Sequence, residues 1–387
     1  VSKRLRIVAL ITMISILLTG CWDRIEINER DYVIIMGMDL AKQHKGEEAS
    51  ELKNPYVNRY AISYSMPNLK TVQTGSEHPE EANFVFKTEA QNPYEASVQF
   101  ANKMSTDPYY KHCKITVFGS NLVKDPIYLR ELLDGLLRNN QLTRKLNLFV
   151  AQGDAYDILS TNPKMIPKVG EYLWRLAYKK NVMSIYVPQT LDEVATSLEQ
   201  YKTALIPRVT ATKDEIKVAG SAAIKDYRFI GWLGEKETRS VAFLKERSQA
   251  DIFDVPYKEV DIPYIVDNIR VRRKAKIEDD KISMDIMIAT SGGIQQYLQD
   301  EKPELMNSKI IKEIEKSAEK RIKREIDFTI NKLQGDLNID LIGIGEHLSK
   351  FEPDLWESIR DDWDSIFPKV DINVKVDARI RRIGSIR

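Results

Sequence analysis

The chain has 387 residues, with 58 lysines and arginines against 57 aspartates and glutamates, a net charge of +1. That balance gives no electrostatic case for nucleic acid as a partner. A content of 43% hydrophobic and 30% charged residues fits a globular protein, and the length fits two or three domains.

The first predicted element is a leader rather than part of the fold. Lys3, Arg4 and Arg6 precede an apolar run from Ile7 to Leu18. The run is far shorter than the ~20 apolar residues of a membrane-spanning helix. It ends in Leu18-Thr19-Gly20-Cys21, which looks like a bacterial lipobox. In that pattern the Cys21 thiolate, the strongest side-chain nucleophile, takes a diacylglyceryl group, and the chain is cut between Gly20 and Cys21. An ordinary cleaved leader with an incidental cysteine is the competing reading. The shared register of apolar run, small residues and cysteine favours the lipobox. Two acyl chains suffice for stable anchoring where one gives a binding constant of only about 10⁴ M⁻¹. Loss of the leader removes three basic residues and no acidic one, so the remainder carries a net charge of −2. No later segment approaches 18 uninterrupted apolar residues, so no other span is expected.

Beyond the leader, Val33–Met38 reads as a buried strand and Tyr60–Met66 as an alternating one closed by Pro67. Polar loops are expected over Gln43–Asn58 and Thr74–Asn83. Tyr94–Met104 has helical spacing, and Lys114–Phe118 reads as a strand. Asp125 caps a helix with Pro126 in its first turn and Leu129, Leu132, Leu133, Leu136 and Leu137 on one face. Leu146, Leu148 and Val150 alternate. Thr190 and Glu193 have capping-box spacing ahead of a stripe formed by Leu191, Val194, Leu198 and Tyr201. Ile206-Pro207 is taken as a break, with β structure beginning at Ile216. That stretch takes in Tyr227–Ile230 and Ser240–Leu244, with Gly231-Trp232-Leu233-Gly234 between them. The polar stretch Gln249–Pro263 is a candidate second boundary. Residues Ile269 to Ile277 and Ile282 to Ile288 alternate about a turn at Glu278-Asp279-Asp280, predicting a hairpin. A long helix follows, with Ile311, Ile314, Ala318, Ile322, Ile326, Ile330 and Leu333 on one stripe and Gly335 as its stop. A shorter helix carries Trp356, Ile359 and Trp363. Val370 to Ile380 alternates as a final strand, whose even-numbered residues are expected to face the long helix. The expected class is therefore α+β: a multidomain, mixed α/β chain whose C-terminal antiparallel sheet packs against a long helix. The expected divisions are a leader at 1–20, an N-terminal domain at 21–205 and a C-terminal domain at 206–387. A further division near 249–263 would make three domains.

The chain offers little to catalyse with. His44, His78, His112 and His347 form no H-E-x-x-H pattern and lie near no paired cysteine. His112-Cys113 reads as a chance pair, since neighbours in a strand point to opposite faces; Cys113 reads as a small core residue. Gly343-Ile344-Gly345 lacks the third glycine and the lysine of a phosphate loop, so it reads as a turn. Asp354, Glu357, Asp361, Asp362 and Asp364 lie opposite the tryptophans and read as a solvated face. No G-x-S-x-G occurs. No enzyme activity, metal or cofactor is expected.

Cys21-Trp22-Asp23, followed by Ile25-Glu26-Ile27-Asn28, resembles the mature start of the spore germination Ger(x)C lipoproteins. Lys114–Gly119, Gly231–Thr238, Trp356–Pro368, Val374-Lys375-Val376 and Ile380-Arg381-Arg382 extend the likeness over almost the whole mature chain. Arg138–Arg144 departs from it, lacking the acidic residue that the family often has in that turn. The resemblance implies the C subunit of a nutrient germinant receptor. Such a protein is anchored through Cys21 on the outer face of the spore inner membrane, works with membrane-embedded A and B subunits, and has no catalytic activity. The alternative is an extracytoplasmic solute-binding lipoprotein, which requires two similar βαβ halves around a cleft. A lipid-anchored hydrolase is third, for want of a nucleophile with a base.

Overall fold

The computed structural model describes residues 3–4, 30–42, 58–68, 83–163, 168–178, 184–212, 214–248, 250–278, 281–294 and 308–384. The lipobox and the expected leader apart from residues 3–4, the loop residues 43–57 and 74–82, and turn residues 279–280 lie outside the described residues. In chain order the first lobe contains β1 (Arg30–Tyr32), β2 (Ile35–Leu40), β3 (Tyr60–Pro67), β4 (Asn83–Ala90), α1 (Pro93–Ala101), β5 (Asp107–Tyr109), β6 (Ile115–Phe118) and α2 (Pro126–Arg138). It continues with β7 (Asn147–Ala151), α3 (Ala155–Leu159), α4 (Val169–Tyr178), α5 (Leu191–Tyr201), β8 (Thr203–Ala211), β9 (Ile216–Lys225) and β10 (Arg228–Leu233). After α6 (Glu235–Leu244) come β11 (Asp251–Tyr257), β12 (Val260–Glu278), β13 (Lys281–Ile294) and α7 (Ser308–Asn331). Then α8 (Ile344–Phe351), α9 (Pro353–Ile359), α10 (Trp363–Ile366) and β14 (Asp371–Ile383) complete the fold.

The first sheet has the order β10-β9-β8-β7-β6-β2-β3-β4 among the described residues. Its centre is parallel (β2 with β6, β6 with β7, β7 with β8) and its flanks are antiparallel. β6 and β7 are buried along their whole length because helices cover both faces. Phe100 of α1, the leucines of α2, and Leu191, Val194 and Leu198 of α5 pack on one face; Ile158 of α3 and Leu173 of α4 pack on the other. Local chemistry sets the helix starts. The Asp125 carboxylate accepts from Ile127 N at 2.9 Å, and Thr190 and Glu193 close a capping box.

The second sheet, β11-β12-β13-β14, carries α7 on one face. Ile314, Ala318, Ile322, Ile326 and Ile330 recur every four residues and are all buried. Opposite them lie Ile282, Met284, Ile286 and Ile288 of β13, and Val374 and Ala378 of β14, so the expected even-numbered faces are the buried ones. The hairpin of β12 and β13 pairs Ile277 with Ile282 as the alternation predicts.

Several expectations need correction. β14 pairs with β13 in parallel, Met284 opposite Ile372, so the sheet is antiparallel only over its first three strands. The chain reaches β14 through α7 to α10, a crossover long enough for parallel entry. Ile206-Pro207 is no break: it lies inside β8, so the first sheet continues from residues before 205 into β9 and β10. The proline fits because the β8–β9 register shifts between Pro207 and Val209, a bulge that spares the ladder its missing N–H. Residues 251–263 form β11 and the start of β12 rather than a linker, and Ser240–Leu244 is the end of α6. Gly335 does not stop α7, which runs on through a π-helical turn, Lys332–Asp336. The two sheets differ in size and topology, which removes the two alike halves that the solute-binding alternative requires.

Candidate functional site

Cys21 and Gly20, the expected lipid attachment and cleavage positions, lie outside the described residues. The described chain resumes nine positions after Cys21, at Arg30, and pairs β1 with β5 beside the first sheet. Aromatic side chains hold this corner. The Arg30 guanidinium stands 4.6 Å from the Tyr109 ring centre, and His112 meets the Tyr109 and Tyr32 rings at 5.4 and 5.1 Å. His112 is exposed, whereas Cys113 behind it is fully buried, its Sγ 3.5 Å from the Ile115 carbonyl. Burial pushes the Cys113 thiol up to about 12, so it is neither a nucleophile nor half of a dyad.

The other sequence candidates are equally accounted for. Gly343, with φ of +79°, begins α8, and the Asp340 carboxylate accepts from the N–H groups of Gly343, Ile344 and Gly345 at 2.8, 3.1 and 2.7 Å. The chain's own carboxylate thus fills the place where a phosphate oxygen would sit. Asp354, Glu357, Asp361, Asp362 and Asp364 are all exposed, while Trp363 is buried. Among the described residues no three His, Cys, Asp or Glu side chains are grouped to hold a metal.

A groove of about 340 Å³ separates the lobes, lined by α5, α6 and α8. Its charges are spent on one another. Arg247 meets Glu193 at 2.9 Å, and Lys350 and Lys245 meet Glu346 at 2.8 and 3.8 Å. Burial opposes the charge on Glu346, but the hydrogen bond from Lys350 and the charge of Lys245 outweigh it and hold the carboxyl below its usual range. Arg273 of β12 lies near this groove, donating to the carbonyls of Gly343 and Leu244, and burial lowers its pKa. Arg247–Glu193 joins the lobes here, with the Thr203 hydroxyl donating to the Asp340 carbonyl at 3.1 Å, and the charged groups named are all paired.

Sequence reasoning missed the most buried charge cluster. Arg239 on α6 donates from Nε and Nη2 to the two Glu325 carboxylate oxygens on α7, each at 2.7 Å, and from Nη1 to Asp251 on β11 at 3.1 Å. Its Cζ stands 4.3 Å from the Phe253 ring centre. Asp251 in turn accepts from Ser184 N at 3.0 Å, tying the segment before α5 to the second sheet. The available signal was Glu325 directly beside Ile326 on the apolar stripe of α7.

Two family models match in succession. Residues 23–211 match the spore germination protein N-terminal domain, and residues 219–384 match the C-terminal domain described as spore germination B3/GerAC like. The chain belongs to the GerAC-like spore germination family. This GerAC-like chain is 21% identical over 402 residues to spore germination protein YndF of Bacillus subtilis (strain 168), covering 100% of itself and 98% of that protein. It is 22% identical to spore germination protein B3 of the same strain, over 95% of each chain. Its fold is similar to the crystal structure of the GerBC protein, with a TM-score of 0.60 at 18% identity, covering 89% of this chain and 97% of that one. The GerAC-like family is a non-enzymatic one. None of the helices among the described residues is long and apolar enough to cross a membrane.

Proposed function

We propose that this chain is the lipid-anchored C subunit of a nutrient germinant receptor. Acylated Cys21 holds it on the outer face of the spore inner membrane, and it works there by binding the membrane-embedded A and B subunits. The observation that carries this reading is position: the family matches begin at residue 23, two positions after the cysteine of Leu18-Thr19-Gly20-Cys21, and cover residues 23–211 and 219–384. Anchoring supplies what such a subunit needs. It confines the protein to the plane of its partners and raises their effective concentration without demanding a tight soluble affinity.

The test is a deletion strain whose spores are scored with a nutrient trigger and with one that bypasses nutrient receptors. Loss of the response to a particular nutrient, with the bypass route intact, is expected. The wild-type chain restores that response, and an accumulating Cys21→Ala chain does not. Equal impairment by both triggers refutes the receptor-subunit reading.

A further inference from the structure

The anchor constrains more than location, because the chain between it and the fold is short. Eight residues separate Cys21 from Arg30, nine steps along the chain, and a fully extended chain covers at most about 3.3–3.6 Å per step. The corner carrying Arg30 therefore lies within about 30 Å of the acyl chains, however those residues run.

That corner belongs to one continuous surface. Arg30 covers Tyr109, Tyr109 meets His112, and His112 shares a hollow of about 270 Å³ with Ile34, Lys114, Lys168 and Trp174. Trp174 lies on α4, whose inner side buries Val169, Gly170 and Leu173. Its outer side leaves Trp174 37% exposed and Tyr178 55% exposed, with ring centres 5.4 Å apart. Indole and phenol rings with an apolar body and a polar tip are the side chains that favour the headgroup region of a bilayer. The charges around them suit an anionic one. Among the described residues the cations here are Arg30, Lys111, Lys114, Lys168 and Arg175. Of the nearby acids, Glu171 is paired with Arg175 at 3.0 Å, Asp31 is hydrogen-bonded to Thr106, and Asp107 is exposed.

We propose that this surface, centred on Trp174, Tyr178, Lys114 and Lys168, rests on the anionic lipid surface in which Cys21 is anchored. The contact gives the protein a fixed orientation on the membrane, with the Arg30 corner of the β1–β5 pair turned toward the lipid. The proposal rests on the anchor reading, because reach is measured from acylated Cys21.

The test uses the full-length acylated protein in vesicles of phosphatidylcholine with anionic phosphatidylglycerol, brominated or not in the upper acyl chain, in a Trp22→Phe background. Flotation and intact mass first report the anchor. The bromine-quenched emission is then compared with that of the same chain carrying Trp174→Phe. Trp174 is expected to lose emission to brominated lipid, because an indole at headgroup level lies beside the upper acyl chain. The loss shrinks in Lys114→Glu/Lys168→Glu, and it shrinks as salt rises from about 0.1 to about 1 M, where the screening length falls from about 10 to about 3 Å. A protein that floats with lipid on Cys21 but shows no quenching assigned to Trp174 overturns the surface proposal alone. A chain that bears no lipid overturns the anchor reading and the surface proposal with it.

Discussion

Replacing Arg239 by methionine keeps most of the aliphatic stem and removes the guanidinium fork. The side chains concerned are almost wholly enclosed, with exposures of 8% for Arg239, 4% for Glu325 and 0% for Asp251. After the change Glu325 retains only Arg321, at 3.0 Å, as a cationic partner. Asp251 keeps the N–H groups of Ser184 and Ile252, at 3.0 and 2.8 Å, and loses its cation. Removing one member of a buried ion pair costs about 3–5 kcal/mol, because the surviving charges stay desolvated. The charge–ring contact with Phe253 adds to that loss. Urea unfolding at pH 7, followed by near-ultraviolet circular dichroism, should show a lower midpoint with an unchanged slope. Adding Glu325→Gln should recover part of the loss, since it takes the stranded charge away. A loss below about 1 kcal/mol, the range of exposed pairs, would refute the claim that this cluster fastens α6 and α7 to β11.

Asp39 gives a pH prediction. It is 6% exposed, burial pushes its carboxyl up to about 6 from the usual 3.8, and it accepts from Ala155 N and Tyr156 N at the start of α3. Its folded pKa is raised, so this group's stabilising contribution is present at low pH and is lost as pH rises through about 6. Relative to Asp39→Asn, the wild-type chain should therefore gain about 1 kcal/mol between pH 7 and pH 5; a loss over that interval would contradict the burial argument. Cys113 should react with a thiol reagent at pH 8 only after denaturation, and rapid labelling of the native chain would show that its enclosure is wrong.

The parts of the fold legible in the sequence were those written in local chemistry. Asp125 with Pro126, Thr190 with Glu193, and the four-residue spacing of α7 each announce themselves within one or two turns. The misreadings have physical causes of the same scale. In α6 every residue from Thr238 to Leu244 is buried, so the helical period vanishes and Ser240–Leu244 resembles a strand. β11 alternates as a strand should, but Asp251 occupies the first buried position and hides the pattern. Its charge is met there by Arg239 together with the N–H groups of Ser184 and Ile252. Parallel and antiparallel strands show the same alternation, so nothing in Val370–Ile380 reveals which way β14 enters. The Arg239–Glu325 contact spans 86 residues and leaves no local trace. The lipid-attachment reading was legible from the leader alone, whereas the surface around Trp174 emerges only when α4, β1 and the segment at His112 are brought together.

The central claim is that this chain acts by assembling with membrane-embedded receptor subunits. It is tested most directly by purifying the affinity-tagged, acylated protein from detergent-solubilised spore membranes and identifying by mass spectrometry what comes with it. The account predicts two integral membrane proteins of the receptor, recovered in amounts comparable to the tagged chain and absent when Cys21→Ala is used as bait. Recovery of the acylated wild-type chain alone, from membranes that contain both of those proteins, would contradict it.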